Sequence, residues 1–104
     1  MKDYRSYIQN KTNYTCNFGG RYDVLTKKVA DSIVENIDEE YHDFPTMIRN
    51  YMVVVEIATV DNEKDIHIYS MKEYFDKYGT SHLEDWYEEG EINKDLYKAI
   101  KSQL

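Results

Sequence analysis

Residues 51–69 read YMVVVEIATVDNEKDIHIY. The first ten are apolar or β-branched apart from Glu56, the composition of a strand packed on a sheet surface. Asp61 and Asn62 readily hydrogen-bond their own backbone, so DNEK (61–64) reads as a turn. DIHIY (65–69) alternates at the two-residue period of a strand, with Ile66 and Ile68 on the core face. Two such runs around one short turn form an antiparallel hairpin, 51–60 with 65–69. Glu56 interrupts the apolar run and is expected across the sheet from His67 or a lysine.

The chain before the hairpin supplies one more strand and one longer helix. NYTCNF (13–18) alternates, with Tyr14, Cys16 and Phe18 on one face, and Gly19-Gly20 is expected to end it. Over 23–38, Leu25, Val29, Ala30, Ile33, Val34 and Ile37 recur at helical spacing. Asp23 is the expected N-cap of that helix. Residues 3–9 suggest a short helical turn. DEEYHDFP (38–45) reads as a break, because Pro45 disfavours helix at Phe44.

Three short helices follow the hairpin. Ser70 and Glu73 have capping-box spacing, Met71, Tyr74, Phe75 and Tyr78 form an apolar stripe, and Gly79 is a stop signal. Ser81 and Glu84 repeat the box, and Gly90 repeats the stop. Asn93 is the expected cap of a third helix bearing Leu96, Tyr97 and Ile100, with Ile92 and Tyr97 as its hydrophobic staple. The fold expectation is a single α+β domain over 1–104. A small antiparallel sheet of about three strands (13–18, 51–60, 65–69) packs on the helix 23–38, with short C-terminal helices.

The net charge is −7, and it is uneven. Residues 1–52 carry 7 Lys/Arg against 8 Asp/Glu, whereas residues 53–104 carry 6 Lys against 12 Asp/Glu. Such a surface repels phosphate backbones and anionic membranes and favours basic partners. No apolar run reaches membrane-spanning length, and MKDYRSYIQN (1–10) has no signal-peptide core. With Cys16 as the only cysteine, a reduced, cytoplasmic protein is expected. The glycosylation patterns at Asn10 and Asn13 then read as chance.

Phosphate-loop, dinucleotide, nucleophile-elbow and zinc-protease motifs are absent. DNEKDIHIYSMK opens like a calcium loop but places Ile66 where glycine is needed and Lys72 where the bidentate acid belongs. His42, His67 and His82 are scattered, and Cys16 shares a face with Tyr14 and Phe18, as a core thiol does. The expectation is therefore no enzyme, no cofactor and no metal.

The densest charge is in LEDWYEEGEI (83–92). At about 100° per residue, Leu83, Trp86 and Tyr87 share one helix face, while Glu84, Asp85, Glu88 and Glu89 share the opposite one. Glu91 lies just beyond. The like charges at i,i+4 weaken the helix, and no Lys or Arg offsets them. A second acidic stretch, Asp31 to Asp43, is partly neutralised by Lys27 and Lys28, and offers Tyr41 and Asp43 as a further contact. The chain also has 11 Tyr against 3 Phe and 1 Trp, and Tyr suits half-buried and interface positions.

Carboxylates on a rigid frame beside tyrosines can occupy a basic groove built for nucleic acid. In size, acidity and tyrosine content the chain is similar in general character to nucleic-acid-mimicking inhibitors of phages and mobile elements. It is similar in the same way to the antitoxins and immunity proteins that neutralise nucleases. The likeness is one of type and transfers no residue. It implies a non-enzymatic inhibitor, anti-CRISPR or anti-restriction in kind, that binds a basic nucleic-acid-binding protein or nuclease, and the charge pattern itself points to Glu84, Asp85, Glu88, Glu89, Glu91, Tyr41 and Asp43 as the contacts. The alternative is a small homo-oligomeric assembly protein, as a homodimer, with tyrosine-rich edges.

Overall fold

In a computed structural model of the chain, residues 3–22 and 25–104 are described. They form α1 (Tyr4–Lys11), β1 (Cys16–Gly20), α2 (Lys27–Asn36), β2 (Tyr41–Ile48), β3 (Tyr51–Val60), β4 (Glu63–Ser70), α3 (Met71–Tyr78), α4 (Ser81–Glu88) and α5 (Lys94–Ser102). The four strands make one sheet in the order β1-β4-β3-β2. β3 is antiparallel to β2 and β4, and β1 runs parallel to β4. None of the described helices is long and apolar enough to cross a membrane.

The β3–β4 hairpin forms around Asp61 and Asn62, both left-handed at φ 51 and 66, with Val60 opposite Glu63. Asp and Asn tolerate that conformation best among non-glycine residues. Side chains of β3 then alternate between two cores. Val53, Val55 and Ile57 face Ile8 of α1 and Val29, Ala30 and Ile33 of α2. Val54 faces Tyr74, Phe75, Leu83, Trp86 and Ile100 from the C-terminal helices. Helices thus cover the sheet on both faces, which is why three consecutive valines are buried.

Several expectations are corrected. The segment read as a break is strand β2, with Pro45 opposite Val54. The constraint that Pro45 places on Phe44 favours extended chain as much as it opposes helix. β2 is an edge strand, where a missing N–H is tolerated. The sheet has four strands and is mixed, because the long connection after β1 lets that strand return parallel to β4.

Gly19 and Gly20 are the last two residues of β1, opposite His67 and Ile68, so the strand runs through Gly19 and ends at Gly20. Gly20 has φ +75, and a Cβ there would fall 2.2 Å from the Ile68 carbonyl oxygen. Asp23 lies outside the described residues; the cap of α2 is Thr26, whose hydroxyl accepts from the Val29 N–H at 3.3 Å. At α4 the N-cap is Thr80, without a side-chain bond, so Ser81 and Glu84 form no capping box. The other caps hold: Ser70 accepts from the Glu73 N–H at 3.2 Å and Asn93 from the Leu96 N–H at 2.8 Å.

Lys64 on β4 is only 2% exposed. Its ammonium donates to the Thr59 hydroxyl at 2.6 Å and the Glu39 carbonyl at 3.0 Å, and lies 4.7 Å from the Tyr14 ring centroid. Hydrogen bonds and a ring face replace the water it loses.

Candidate functional site

The short α4 starts two residues after Gly79, whose φ of 79 ends α3, and Gly90, also at φ 79, follows its end. Leu83 and Trp86 are buried, whereas Glu84, Asp85, Glu88 and Glu89 are exposed, so the segregation read from the helical period is present. Tyr87 is more exposed than that reading implied and stacks on Tyr97 with ring centroids 4.5 Å apart.

The four acids are not equivalent. The Tyr97 hydroxyl lies 2.6 and 2.7 Å from the two Glu84 oxygens, and Lys101 is 3.8 Å from Oε1. Asp85, Glu88 and Glu89 form no side-chain ion pair or hydrogen bond with any described residue. No basic residue occupies the last turn of α4. The carbonyl end of the helix dipole therefore adds to the negative potential at Glu88 and Glu89.

β2 brings the remaining predicted residues to the flank of α4. Trp86 Nε1 donates to the Asp43 carbonyl at 3.3 Å. His42 Nε2 is 3.4 Å from Glu91 Oε1. Burial raises the Glu91 carboxyl above the ordinary carboxylate range, and His42 partly opposes this. Tyr41 is 57% exposed, with its hydroxyl 3.3 Å from Asp43 Oδ2 and 3.5 Å from Glu56 Oε2. Partial burial, with the charges of Asp43 and Glu56, pushes its phenol up to about 12. Asp43 turns inward, so it belongs to the seat of the helix and not to its exposed face.

That seat is a polar network that the sequence reading did not assemble. The Tyr74 hydroxyl donates to Asp43 Oδ2 at 2.6 Å and is in short contact with His82 Nδ1. A hydroxyl has one proton, so while it donates to Asp43 its oxygen can accept from His82 only in the tautomer that carries the proton on Nδ1. β2, α3 and α4 are thereby joined through three side chains. Beside them, Glu56 accepts from the Tyr78 hydroxyl at 2.7 Å, and Lys77 donates to the Tyr69 hydroxyl at 3.0 Å.

Asp43 and Glu56 are cross-strand neighbours, as are Glu56 and His67. Burial raises the Asp43 carboxyl above its ordinary range; the Tyr74 bond opposes this and the Glu56 charge adds to it. Asp43 Oδ1 is buried without a hydrogen-bond partner among the described residues. The phenols of Tyr74 and Tyr78 are raised by burial and by these carboxylates. The available signal was the stripe of α3, which carries Tyr where Phe would serve a dry core. Its counterpart was an acid at position 43 and another at 56, interrupting otherwise apolar strand faces.

No group of three or more His, Cys, Asp or Glu side chains converges in a metal-holding arrangement among the described residues. No protein-family model, curated protein or solved structure matches the chain.

Proposed function

We propose that the chain is a non-enzymatic acidic inhibitor of a basic protein that handles nucleic acid. The targets that suit it are the defence nucleases, CRISPR or restriction in kind, that phages and mobile elements must block. The observation that carries this reading is the seating of Asp85, Glu88 and Glu89. They are three carboxylates without side-chain partners among the described residues, on a helix whose other side is held by Leu83, Trp86 and His82. Along α4 they fall within about 6 Å of axis, a length in which duplex DNA carries three to four charges. Holding such charges in place beforehand lowers the ordering cost of binding. A nuclease-neutralising antitoxin or immunity protein would use the same chemistry.

The test is capture of partners from host lysate by the tagged protein at low and moderate salt, alongside the triple variant Asp85→Lys/Glu88→Lys/Glu89→Lys. The parent is expected to retain a basic nuclease or nucleic-acid-binding complex that added DNA or RNA displaces, and to inhibit its cleavage. The triple variant should lose both while keeping its circular dichroism. Undiminished inhibition by the triple variant removes α4 from the mechanism.

The second reading, self-assembly, rests on Tyr41 and Tyr51, 57% and 72% exposed at the starts of β2 and β3. Against it, Pro45 and the Trp86 bond to the Asp43 carbonyl blunt the free edge of β2. A sedimenting oligomer that persists at high salt and in the triple variant would favour assembly.

A further inference from the structure

The sheet end that carries the β2–β3 turn differs in character from the acidic helix. From Asp43, beside Trp86, to Ile48 at the turn is five residues along β2, about 17 Å. A cleft of about 640 Å³ opens there, within the size range of small-molecule sites. Its lining includes Arg21, Lys27 and Arg49, with no Asp or Glu among the described lining residues. In a chain with 20 acids and 13 Lys/Arg, that local excess of cations is set against the overall charge.

The cations are available to differing degrees. Arg49 makes no side-chain hydrogen bond or ion pair with any described residue. It sits at φ 55, a conformation that a glycine or asparagine adopts at less cost. Arg21 gives its Nε to Glu73 at 3.0 Å, and its two terminal nitrogens make no bond with any described residue. Lys27 pairs with Asp31 at 2.8 Å on the exposed side of α2, where an i,i+4 bond is weak enough to exchange. Ile48, Met52 and the ring of Tyr51 supply apolar wall between these groups.

We propose that this cleft binds a small organic anion, a phosphomonoester on an aromatic body such as an aryl or nucleoside monophosphate. Arg49 and the free end of Arg21 meet the phosphate, which suits the planar fork of a guanidinium. The ring lies against Met52 and Tyr51. The ten-residue α2 begins at the cleft wall with Thr26 and Lys27, and its dipole adds to the attraction. The site is independent of α4 and of the function proposed above.

The probes are phenyl phosphate and adenosine 5′-monophosphate, titrated into the full chain and followed by the methyl signals of Met52 and Ile48. Ile100, within the C-terminal helical core that Met52 borders but not among the residues lining the cleft, serves as the reference. Saturable shifts at Met52 and Ile48, and none at Ile100, are expected. Arg49→Asn keeps the left-handed backbone and removes the charge, so the dissociation constant should rise at least about tenfold. Phenol and inorganic phosphate should each bind more weakly than phenyl phosphate. The proposal is overturned by the absence of saturation at millimolar probe, by equal affinity in Arg49→Asn, or by inorganic phosphate binding as tightly as phenyl phosphate.

Discussion

Tyr74→Phe removes one oxygen from the place where three elements meet. The Tyr74 side chain is fully buried, and its hydroxyl donates to Asp43 Oδ2 at 2.6 Å. A hydrogen bond to a charged group contributes about 1.5–3 kcal/mol. The void left by one oxygen is too small to admit a compensating water. Tyr41 remains 3.3 Å from the same carboxylate oxygen, so the loss is expected near the middle of that range, about 2 kcal/mol. For a chain of this size that lowers the melting temperature by roughly 10 °C.

The loss is expected to depend on pH, and its sign follows from Asp43. The folded protein holds this carboxyl above its ordinary 3.8. The native state therefore binds a proton that the unfolded chain does not, and the stability from that proton is present at low pH. It disappears as pH rises through the folded value. Tyr74→Phe removes a bond that favours the ionised form, so its cost is largest at neutral pH. At pH low enough to protonate Asp43, which then accepts only a neutral bond, the cost falls to about 1 kcal/mol. Urea melts of the parent, Tyr74→Phe, Asp43→Asn and the double variant, at pH 7 and at that low pH, measure this directly. Equal losses at both pH values, or no coupling between positions 74 and 43, would refute the network as described.

Glu88→Lys and Glu89→Lys should each raise stability by about 0.5 kcal/mol, since each removes an i,i+4 repulsion and places a cation in or beside the last turn of α4. Combined with loss of inhibition, this thermal shift would mark the acids as kept for binding; a fall in melting temperature would count against that. Gly20→Ala should cost more than about 2 kcal/mol, because it sets a Cβ against the Ile68 carbonyl at a left-handed φ; a chemical melt within error of the parent would contradict the β1–β4 register. Burial, opposed by Thr12 and Lys64, pushes the Cys16 thiol up. A thiol reagent at neutral pH should therefore react slowly until urea unfolds the chain, and an immediate reaction in the native protein would place Cys16 at the surface.

The hairpin 51–69, the C-terminal helices and the two faces of α4 were legible in the sequence because each rests on local chemistry. Asp61-Asn62 admits a left-handed turn, Ser70 and Asn93 cap through their own side chains, and Leu83 and Trp86 fall together at the helical period. Net charge and the acidic run around Trp86 are likewise properties of the chain itself.

Tertiary structure alone decided where those pieces met. Pro45 permits an edge strand as readily as a break, and only pairing with β3 selects the strand. The parallel return of β1 depends on a contact between residues nearly fifty positions apart, for which no local pattern exists. The same holds for the site. The sequence supplied four acids on one face, and packing set Glu84 apart by bringing Tyr97 and Lys101 to it. Packing also drew Asp43, Tyr74 and His82 from three elements into one seat, because buried polar groups must find partners wherever the fold places them.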